Sequence, residues 1–587
     1  MKPKLLLFSI LFVTAQFVMG QSLIYEDFTN TTFPPAGWTI DAHAANWGRV
    51  MTANAGAVAP ELRLNWSPQF NAATHFISPS LNTSGYTSLT LSFYQYVDDY
   101  AGGYTIGVAT RAGGGTWNNA WQLTVSGAVG PQFKVIEIAT NDVGSSDFQI
   151  CFFFSGDSYN LNFWYIDNIK LNVSVDRDAA MSKVNVPVYN EGVAPVKGTF
   201  INLGLNSITS ADVVWQIDQG NLNLTSFNSL NVPFGNSYIF TCTQQLNLTP
   251  GIYDLKVWIE NINGGGPDLD PTNDTVFQTI HVASQSVDRR PFFEEFTSST
   301  CPPCATFNST VFNPFLEQHD GEMTLVKYQM NWPAPGDPYF TLEGQTRRYF
   351  YGVSYVPDLY IDGLQTATTS AGVNNGFNAS LAKASFMDIS ATHSIESNMV
   401  SGHVDVMSHV TGDLSIFVAI VEKITTGNVG SNGETEFHHV MMKMAPTDYG
   451  TPVSLIDCET ASVDYSVDMS GTFVEEMSDL MVAVWVQDTV RKEVFQSAYS
   501  ELQTGLPFMP SIAQIKAYPN PSDGVVFLSG ITEINEVVVY NNVGNVVDKK
   551  TNLRSNRVDL GTLPNGLYIL RIDSKEGIKT ARVNIMR

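Results

Sequence analysis

Short runs of alternating apolar and polar residues dominate the chain. Between residues 23 and 173 they include LTLSFYQYV, YTIGVAT and FQICFFFSG, separated by Gly, Asn and Ser. A period of two is typical of strands that bury one face, so this stretch predicts an antiparallel jelly-roll sandwich. The same alternation predicts an Ig-like sandwich over 175–283 and a further sandwich over 386–503.

The pattern changes near Arg290. A strand, PFFEEF, runs into Cys301 and Cys304, and a helical stretch follows through Phe315. The strand TLVKYQM comes next, and a second helical stretch lies around Leu342–Tyr351. Strands that alternate with helices indicate an α/β unit, over 286–385, on which we expect the 386–503 sandwich to pack. The predicted fold class is therefore multidomain and mostly β, with one α/β domain.

Length and charge narrow the function classes. A chain of 587 residues predicts about three to five domains. Acidic residues outnumber basic ones by 56 to 31, which gives a formal charge of −25. A phosphate backbone would repel most of this surface, so nucleic acid is not an expected partner.

The N-terminus has the features of a secretory signal. Lys2 and Lys4 precede an apolar run from Leu5 to Val13, and small or medium residues end at Gly20. This predicts a signal peptide over 1–20, cleaved before Gln21; an uncleaved anchor is the alternative. No later stretch reaches the roughly 18 apolar residues of a helical membrane span, so we expect an exported protein without one.

Three features at the C-terminus come in a characteristic order. They are Pro519-Asn520-Pro521, the strand Gly566–Arg571 and a basic closing stretch from Lys579 to Arg587. Together they resemble the C-terminal sorting domain of the Bacteroidetes type IX secretion system, over 510–587. The resemblance implies an interaction with the secretion machinery, passage across the outer membrane, and then release or attachment to the cell surface. An ordinary Ig-like cap is the alternative.

The first module opens with YEDFTNTTFPPAGWTI and closes with FWYIDNIKL. Both ends resemble MAM-like, cleaved-adhesin jelly rolls of surface proteins. The resemblance implies that the opening and closing strands lie side by side and hold a structural Ca²⁺. Glu26, Asp27 and Asp167 suit this ion because hard cations prefer carboxylate and carbonyl oxygens. Solvated acids at strand ends are the alternative.

The second module resembles the adhesion-related Ig-like domains of exported bacterial proteins, for which a spacer role is the simplest. Asp268, Asp270 and Asp274 lie close together near its end. The glycine and distal glutamate of an EF-hand loop are missing, so we predict a polar turn there rather than a calcium loop.

The five cysteines include one local pair, Cys301 and Cys304, which begins the predicted helix of the α/β unit. Unpaired N–H groups and partial positive charge at a helix N-terminus stabilise a thiolate, which suits Cys301 as a nucleophile. Cys304, one turn further, suits the resolving thiol that releases a mixed disulfide. No role is assigned to the remaining three, Cys151, Cys242 and Cys458.

The segments FFEEFTSSTCPPCATF and YFYGVSYVPDLYIDG resemble thioredoxin-like domains. Together with the following sandwich, residues 286–503 are most similar to the thioredoxin-like outer-membrane-protein family of Bacteroidetes. The resemblance implies that Glu295 is a buried proton-accepting acid. It also implies that Pro357, after Val356, is the cis-proline that shapes substrate contact. This chemistry requires no cofactor.

Two departures from the thioredoxin pattern affect the chemistry. Thr300 stands where a Trp is usual, and Pro302-Pro303 replaces Gly-Pro, which removes two backbone donors. A permanent disulfide that pins the helix to the strand is therefore an alternative to a cycling pair.

Two functions remain open from the sequence. Three of the four mature modules look like binding or spacer domains, which favours surface binding to a glycan or protein, with thiol–disulfide exchange in addition. The alternative is an extracellular thiol–disulfide oxidoreductase that acts on protein thiols or disulfides, in which the β modules only position the catalytic domain.

Overall fold

The computed structural model describes residues 21–265, 268–503, 515–529, 534–541, 544–553, 555–574 and 577–587. The predicted signal peptide, 1–20, lies outside the described residues, as does the beginning of the predicted sorting domain, 510–514. The chain divides into two compact units. One holds the residues up to Val287 with 408–412 and 454–459, and the other holds the rest.

The first module consists of two sheets that enclose an aromatic core. Their orders are β3-β4-β11-β6-β9, with β1 on β11, and β2-β5-β10-β7-β8. Phe93 and Trp164 from one sheet and Phe76 and Phe152 from the other are fully buried in one cluster. The opening and closing strands, β1 and β11, pair as the sequence predicts. The strands are β1 (Ser22–Glu26), β2 (Thr39–Ile40), β3 (Trp47–Val50), β4 (Glu61–Asn65), β5 (Asn71–Ile77), β6 (Leu89–Asp99), β7 (Thr105–Ala112), β8 (Asn118–Thr124), β9 (Val129–Ile138), β10 (Phe148–Asp157) and β11 (Leu161–Val173).

The second module is also a pair of sheets, with the orders β12-β14-β17 and β13-β19-β18-β15-β16. Phe200 and Phe240 from the first sheet and Trp215 from the second meet in its core. The strands are β12 (Ala179–Val184), β13 (Tyr189–Asn190), β14 (Val193–Asn202), β15 (Ile208–Ile217), β16 (Asn223–Val232), β17 (Ser237–Asn247), β18 (Gly251–Glu260) and β19 (Thr275–Val282).

The mixed α/β region begins near the position where the sequence pattern changes. β21 and β22 are parallel and joined by a helical connection, whereas β23 runs antiparallel to β21 and β24 antiparallel to β23. The elements are β20 (Val287–Asp288), β21 (Phe292–Thr297), α1 (Pro302–Phe307), a π-helical turn (Asn308–Phe312), α2 (Asn313–Gln318), β22 (Thr324–Gln329), α3 (Leu342–Tyr351), β23 (Asp358–Ile361), β24 (Leu364–Thr366), α4 (Ser370–Leu381) and β25 (Ala384–Ser385).

Local signals explain where the helices begin and end. Thr341 caps α3 by accepting a hydrogen bond from Gly344 N at 3.1 Å, and Thr369 caps α4 in the same way. Gly352 ends α3 in the left-handed region, with φ 76°, which glycine adopts without steric cost. The π-helical turn precedes Pro314, which lacks the N–H that a regular helix needs at that position.

The sequence predicts a separate sandwich over 386–503 that packs on the α/β unit. In the structure, several strands of this segment instead extend the sheet of the α/β unit. β22 pairs with β29 at Lys327 and Val440, and one nine-stranded sheet continues through β28, β32 and β33. This pairing satisfies the backbone groups of a buried strand that would otherwise be an open edge. The strands are β26 (Met387–Glu396), β27 (Met399–Ser408), β28 (Gly412–Thr425), β29 (Phe437–Ala445), β30 (Thr451–Leu455), β31 (Thr460–Asp468), β32 (Leu480–Gln487), β33 (Val494–Tyr499) and β34 (Glu501–Leu502).

The C-terminal segment has a hydrophobic core of its own, formed by residues between Ala517 and Ile585. Its sheets have the orders β35-β36-β39 and β38-β37-β40-β41. Within the described ranges, no helix is both long and apolar enough to cross a bilayer. The strands are β35 (Ala517–Tyr518), β36 (Val525–Leu528), β37 (Ile534–Asn541), β38 (Val546–Leu553), β39 (Arg557–Asp559), β40 (Gly566–Ser574) and β41 (Gly577–Ile585).

Candidate functional site

The cysteine pair lies at the start of α1, where Cys301 is the N-cap residue. Cys301 and Cys304 form a disulfide, with their Cα atoms 5.3 Å apart. Pro302 and Pro303 occupy the first two helical positions, where a backbone N–H would have no acceptor within the helix. The next donor, Cys304 N–H, is shared between the Cys301 Sγ atom and the Cys301 carbonyl oxygen, each at 3.1 Å. The two prolines therefore leave one backbone donor, and it faces the sulfur of the first cysteine.

The loop before β23 lies against the same sulfur. The Val356 carbonyl oxygen is 3.5 Å from Cys301 Sγ, and the Val356–Pro357 peptide bond is cis. Cys301 is only 2% exposed and Cys304 is fully buried, whereas Pro302 and Pro303 are exposed. The structure thus brings the two cysteines and the Val356–Pro357 loop together, and a reaction partner has to approach across the prolines.

Glu295 lies on β21, the strand that leads into the cysteine turn, and is fully buried. Its Oε2 atom is 2.8 Å from the Nζ atom of Lys327 on the neighbouring strand β22. Burial raises the pKa of Glu295, although the ammonium group of Lys327 opposes the shift. Glu295 therefore ionises less readily than a glutamate in water, and its partner Lys327 was not identified from the sequence.

A loop from the far half of the nine-stranded sheet holds the cysteine turn in place. The Asn432 side-chain amide donates to the carbonyl oxygens of Ser298 at 3.1 Å and Cys301 at 3.3 Å. Glu434 accepts from Asn432 at 2.6 Å and from Asn308, after α1, at 2.9 Å. No local motif predicts the contacts of this loop with Ser298, Cys301 and Asn308, because they join residues more than 120 positions apart.

The segment between β22 and α3 also contacts the cysteine turn. Asp337 accepts a hydrogen bond from Ser299 N at 2.8 Å, and the Thr300 hydroxyl donates to the Pro333 carbonyl at 2.7 Å. Thr300 is 6% exposed. Thr300, which stands where thioredoxin-like domains usually have Trp, therefore stabilises the cysteine turn through this hydrogen bond.

Glu294, beside Glu295, serves a different partner because neighbouring strand residues face opposite sides of a sheet. It binds Arg347 of α3 through Nε at 3.0 Å and Nη2 at 2.7 Å. The hydroxyl groups of Tyr328 and Tyr351 also donate to it, at 2.9 and 2.5 Å. This buried cluster fastens α3 to the sheet.

Two of the three residues predicted to hold calcium accept hydrogen bonds from nearby backbone N–H groups. Glu26 accepts from Phe28 N at 2.8 Å, and Asp27 accepts from Thr29 N at 3.0 Å. Asp167 is fully buried, and one of its oxygens has no hydrogen-bond partner. Burial and then nearby acids raise the pKa of Asp167 to about 7. That orphaned oxygen suits a cation, but no three His, Cys, Asp or Glu side chains in the described segments form a metal-binding group.

The aspartates near the end of the second module differ from the predicted polar turn. Asp268, Asp270 and Asp274 are between 6% and 9% exposed, and Asp178, at 5%, is buried as well. Asp268 turns inward because it accepts backbone hydrogen bonds from Ala179 at 2.7 Å and from Asp270 at 2.9 Å. The turn therefore folds against the beginning of its own module.

The remaining cysteines form no disulfide. Cys151 and Cys242 are buried and Cys458 is exposed. Burial raises the pKa of the Cys151 thiol and raises that of the Cys242 thiol to about 11. The two buried thiols therefore resist forming a thiolate.

Residues 516–586 match the secretion system C-terminal sorting domain. The match spans both Pro519-Asn520-Pro521 and Gly566–Arg571, so the sequence prediction for this segment is confirmed. The protein is therefore exported by type IX secretion to the outer cell surface or beyond. Among curated proteins, none matches this sequence.

Several solved structures are similar to parts of the chain. The K3 cleaved adhesin domain of Lys-gingipain from Porphyromonas gingivalis is 15% identical, covers 26% of this chain and 99% of its own, and has a TM-score of 0.20. TmCBM61, in complex with β-1,4-galactotriose, is 16% identical. The match covers 25% of this chain and 92% of TmCBM61, with a TM-score of 0.19. A protein from Agrobacterium tumefaciens is 16% identical. The match covers 38% of this chain and 100% of that protein, with a TM-score of 0.28. Similarity at this level does not assign a function.

Proposed function

We propose that this exported surface protein carries out thiol–disulfide exchange at Cys301 and Cys304, within a thioredoxin-like domain over 286–385. One observation carries the proposal: the disulfide begins a helix and lies beside the Val356 carbonyl, with the Cys304 N–H directed at Cys301 Sγ. The strand order β24-β23-β21-β22, with α1 between the two parallel strands, supports the thioredoxin-like assignment.

In this proposal the two cysteines have different roles. A thiolate on Cys301 is stabilised by the Cys304 N–H and by the helix N-terminus, so Cys301 forms the mixed disulfide with a partner protein. Cys304, buried behind it, resolves that bond. Glu295, whose pKa is raised by burial, exchanges a proton with the departing thiol. The Val356–Pro357 loop offers backbone groups to an extended substrate segment.

The test compares insulin reduction in dithiothreitol by the wild-type protein, Cys301→Ser and Cys458→Ser. Cys458 is a matched control because it is exposed but outside the pair. We expect turnover by the wild type and Cys458→Ser, and none by Cys301→Ser. Equal rates for all three, together with a reduction potential below about −300 mV, would show that the bridge is a static structural disulfide.

We propose surface binding by the first β module as a second function, because it exposes a cluster of aromatic rings. Trp66, Tyr100 and Tyr159 are 37%, 61% and 48% exposed. Tyr159 meets the other two edge to face, with ring centroids 5.8 and 5.6 Å apart. Exposed aromatic clusters are uncommon on isolated domains and provide flat surfaces on which a sugar ring or an apolar side chain packs.

A glycan array probed with the full-length mature protein tests this second function. We expect binding to be lost in Trp66→Ala and Tyr159→Ala and kept in Tyr25→Ala, which removes an exposed ring outside the cluster. Binding that survives both cluster substitutions would exclude this surface as the binding site.

A further inference from the structure

Four buried aspartates lie at the joint between the first two β modules. They are Asp178, just before β12, and Asp268, Asp270 and Asp274, between β18 and β19. Lys170 and Asn172, on the last strand of the first module, contact Asp270. This group, the joint cluster, therefore brings together three separate segments of the chain, all within one compact unit.

Basic side chains balance only part of the negative charge of the joint cluster. Lys170 Nζ lies 3.3 Å from Asp270 Oδ2. Within the described part of the chain, no basic side chain forms an ion pair with Asp178, Asp268 or Asp274. Burial, and then repulsion from Asp268 and Asp178, raises the pKa of Asp274 to about 8. Because a buried carboxylate without a countercharge is unfavourable, it either keeps its proton or binds a cation.

Three oxygen atoms at the joint cluster are buried and accept no hydrogen bond from the protein. They are the Oδ1 atoms of Asn172, Asn273 and Asp274. Asn172 is only 8% exposed and Asp274 only 9%. Buried polar atoms are normally satisfied, so three acceptors without a donor in one place indicate a positively charged ligand.

The hydrogen bonds of the two amides show that these oxygen atoms belong to one group. Asn172 Nδ2 lies 3.5 Å from Asp270 Oδ2. Asn273 Nδ2 donates to Asp178 Oδ1 at 3.0 Å and lies 3.5 Å from the same Asp270 oxygen. Each amide is thus held against the carboxylates and brings an unpaired oxygen atom to them, and Asp274 follows Asn273 directly in the chain.

The types of donor select the ion. Carboxylate and amide oxygens are the ligands of Ca²⁺, which accepts about six to eight of them in flexible geometry, whereas Zn²⁺ favours sulfur and nitrogen. In the described segments, no three His, Cys, Asp or Glu side chains form a metal-binding group. The amide oxygens are therefore necessary members of the donor set, and Ca²⁺ is the divalent ion that accepts them most readily.

We propose that the joint cluster binds one Ca²⁺ ion and that this ion fixes the joint between the first two modules. The donors are two carboxylates and two amide oxygens, those of Asp268, Asp274, Asn172 and Asn273. Asp270 and Asp178 orient the two amides through their Nδ2 atoms. Because Asn172 belongs to the first module and the other donors to the second, the ion links the two modules directly.

The first test titrates CaCl2 into the full-length mature protein, after metal removal with EDTA and dialysis, in a calorimeter. We expect a site with a Kd of about 0.1–1 mM, the range of extracellular calcium modules. Asp274→Asn and Asn172→Ala lose this site, and the second variant does so without a change of charge. Asp176→Asn keeps it and is the matched control, because it removes an exposed acid two residues from Asp178. Asp167→Asn also keeps it, which separates the joint cluster from the opening and closing strands of the first module.

The second test follows trypsin cleavage after Arg177, which lies between the two modules. CaCl2 at ten times the Kd slows cleavage of the wild type and of Asp176→Asn about tenfold relative to EDTA, because cleavage requires the joint to open. MgCl2 at the same concentration has a smaller effect, since Mg²⁺ demands a stricter octahedral geometry. Asp274→Asn and Asn172→Ala are cleaved at equal rates in CaCl2 and EDTA.

Wild-type protein that neither binds CaCl2 nor gains protection from it overturns the proposal and indicates that the buried acids hold protons instead. Binding that survives in both Asp274→Asn and Asn172→Ala places the ion elsewhere and also overturns it. Calcium binding at the joint cluster without protection of Arg177 overturns the role of the ion in fixing the joint. Each comparison is made within one variant, with and without Ca²⁺, so a general change in folding stability cancels.

Discussion

The second β module buries four aspartates, and burial changes the pKa of a carboxyl group. They are Asp178, Asp268, Asp270 and Asp274. Burial, followed by repulsion from Asp268 and its neighbours, raises the pKa of Asp178 to about 7 and that of Asp274 to about 8. A polar turn in solvent would leave these carboxyls ionised from about pH 4 upward. The folded module therefore holds protons that the unfolded chain releases.

This difference predicts how stability depends on pH. The folded state binds more protons than the unfolded state between about pH 4 and pH 8, so the free energy of unfolding falls as pH rises through that range. We expect Asp274→Asn to stabilise the protein at pH 8 by about 2 kcal/mol, with little effect at pH 5. Melting temperatures at both pH values, measured in EDTA, test this. Asp254→Asn, at an exposed site, is the control, and an equal gain for Asp274→Asn at both pH values would contradict the prediction.

Single residues also show what sequence reasoning found at the cysteine site and what it missed. Cys301, Cys304, Glu295 and Pro357 were identified because each lies in a short motif with a recognisable spacing. Lys327 and Asn308 carry no such signal, and Glu434 contacts Asn308 across 126 residues. Packing of distant strands decides which polar residues meet in a buried site, and no local pattern records it.

At the scale of elements, α3 depends on one charged anchor. Arg347 is 1% exposed, and besides Glu294 it contacts Gln487 at 3.0 Å and lies 4.9 Å from the ring centroid of Phe417. The sequence predicts the helix over Leu342–Tyr351 but not this anchor. A helical pattern identifies the element, whereas the partner of a buried charge depends on the sheet beneath it.

Removing one member of this buried pair leaves the other charge uncompensated, which costs about 3–5 kcal/mol. We expect Glu294→Gln to lower the free energy of unfolding by about that amount, as measured by denaturant titration of the oxidised protein. Glu343→Gln, which breaks the surface ion pair of the same helix with Lys443, changes it by less than about 1 kcal/mol. Equal effects of the two substitutions would show that Arg347 is not the anchor of α3.

Strand partners were harder to predict than the strands themselves. The apolar runs LSIFVAIVEKI and LMVAVWVQD mark β28 and β32 as strands, but such runs do not distinguish a separate sandwich from an extension of an existing sheet. The choice follows from β22, which is buried along its whole length and needs a partner on its second edge. This partner places residues 428–438 beside the cysteine turn, so the edge pairing also shapes the surroundings of the disulfide.

At the scale of the whole molecule, the segment that directs export differs from the segment that holds the proposed exchange site. The sorting domain matches over 516–586, and its buried residues form a cluster of their own between Ala517 and Ile585. A segment with an independent core can be removed without opening the cores of the others. Export therefore depends on this segment, whereas the proposed exchange depends on residues of the nine-stranded sheet.

Deleting residues 516–587 in a bacterium with type IX secretion separates the two properties. We expect the truncated protein to remain behind the outer membrane, because the signal read by the secretion machinery is gone. Cys301→Ser, with an intact C-terminus, reaches the cell surface or medium in wild-type amounts, because the disulfide lies outside the sorting domain. Fractionation followed by immunoblotting measures both. Surface exposure of the truncated chain would mean that another segment directs export, and retention of Cys301→Ser would mean that export requires the Cys301–Cys304 bridge.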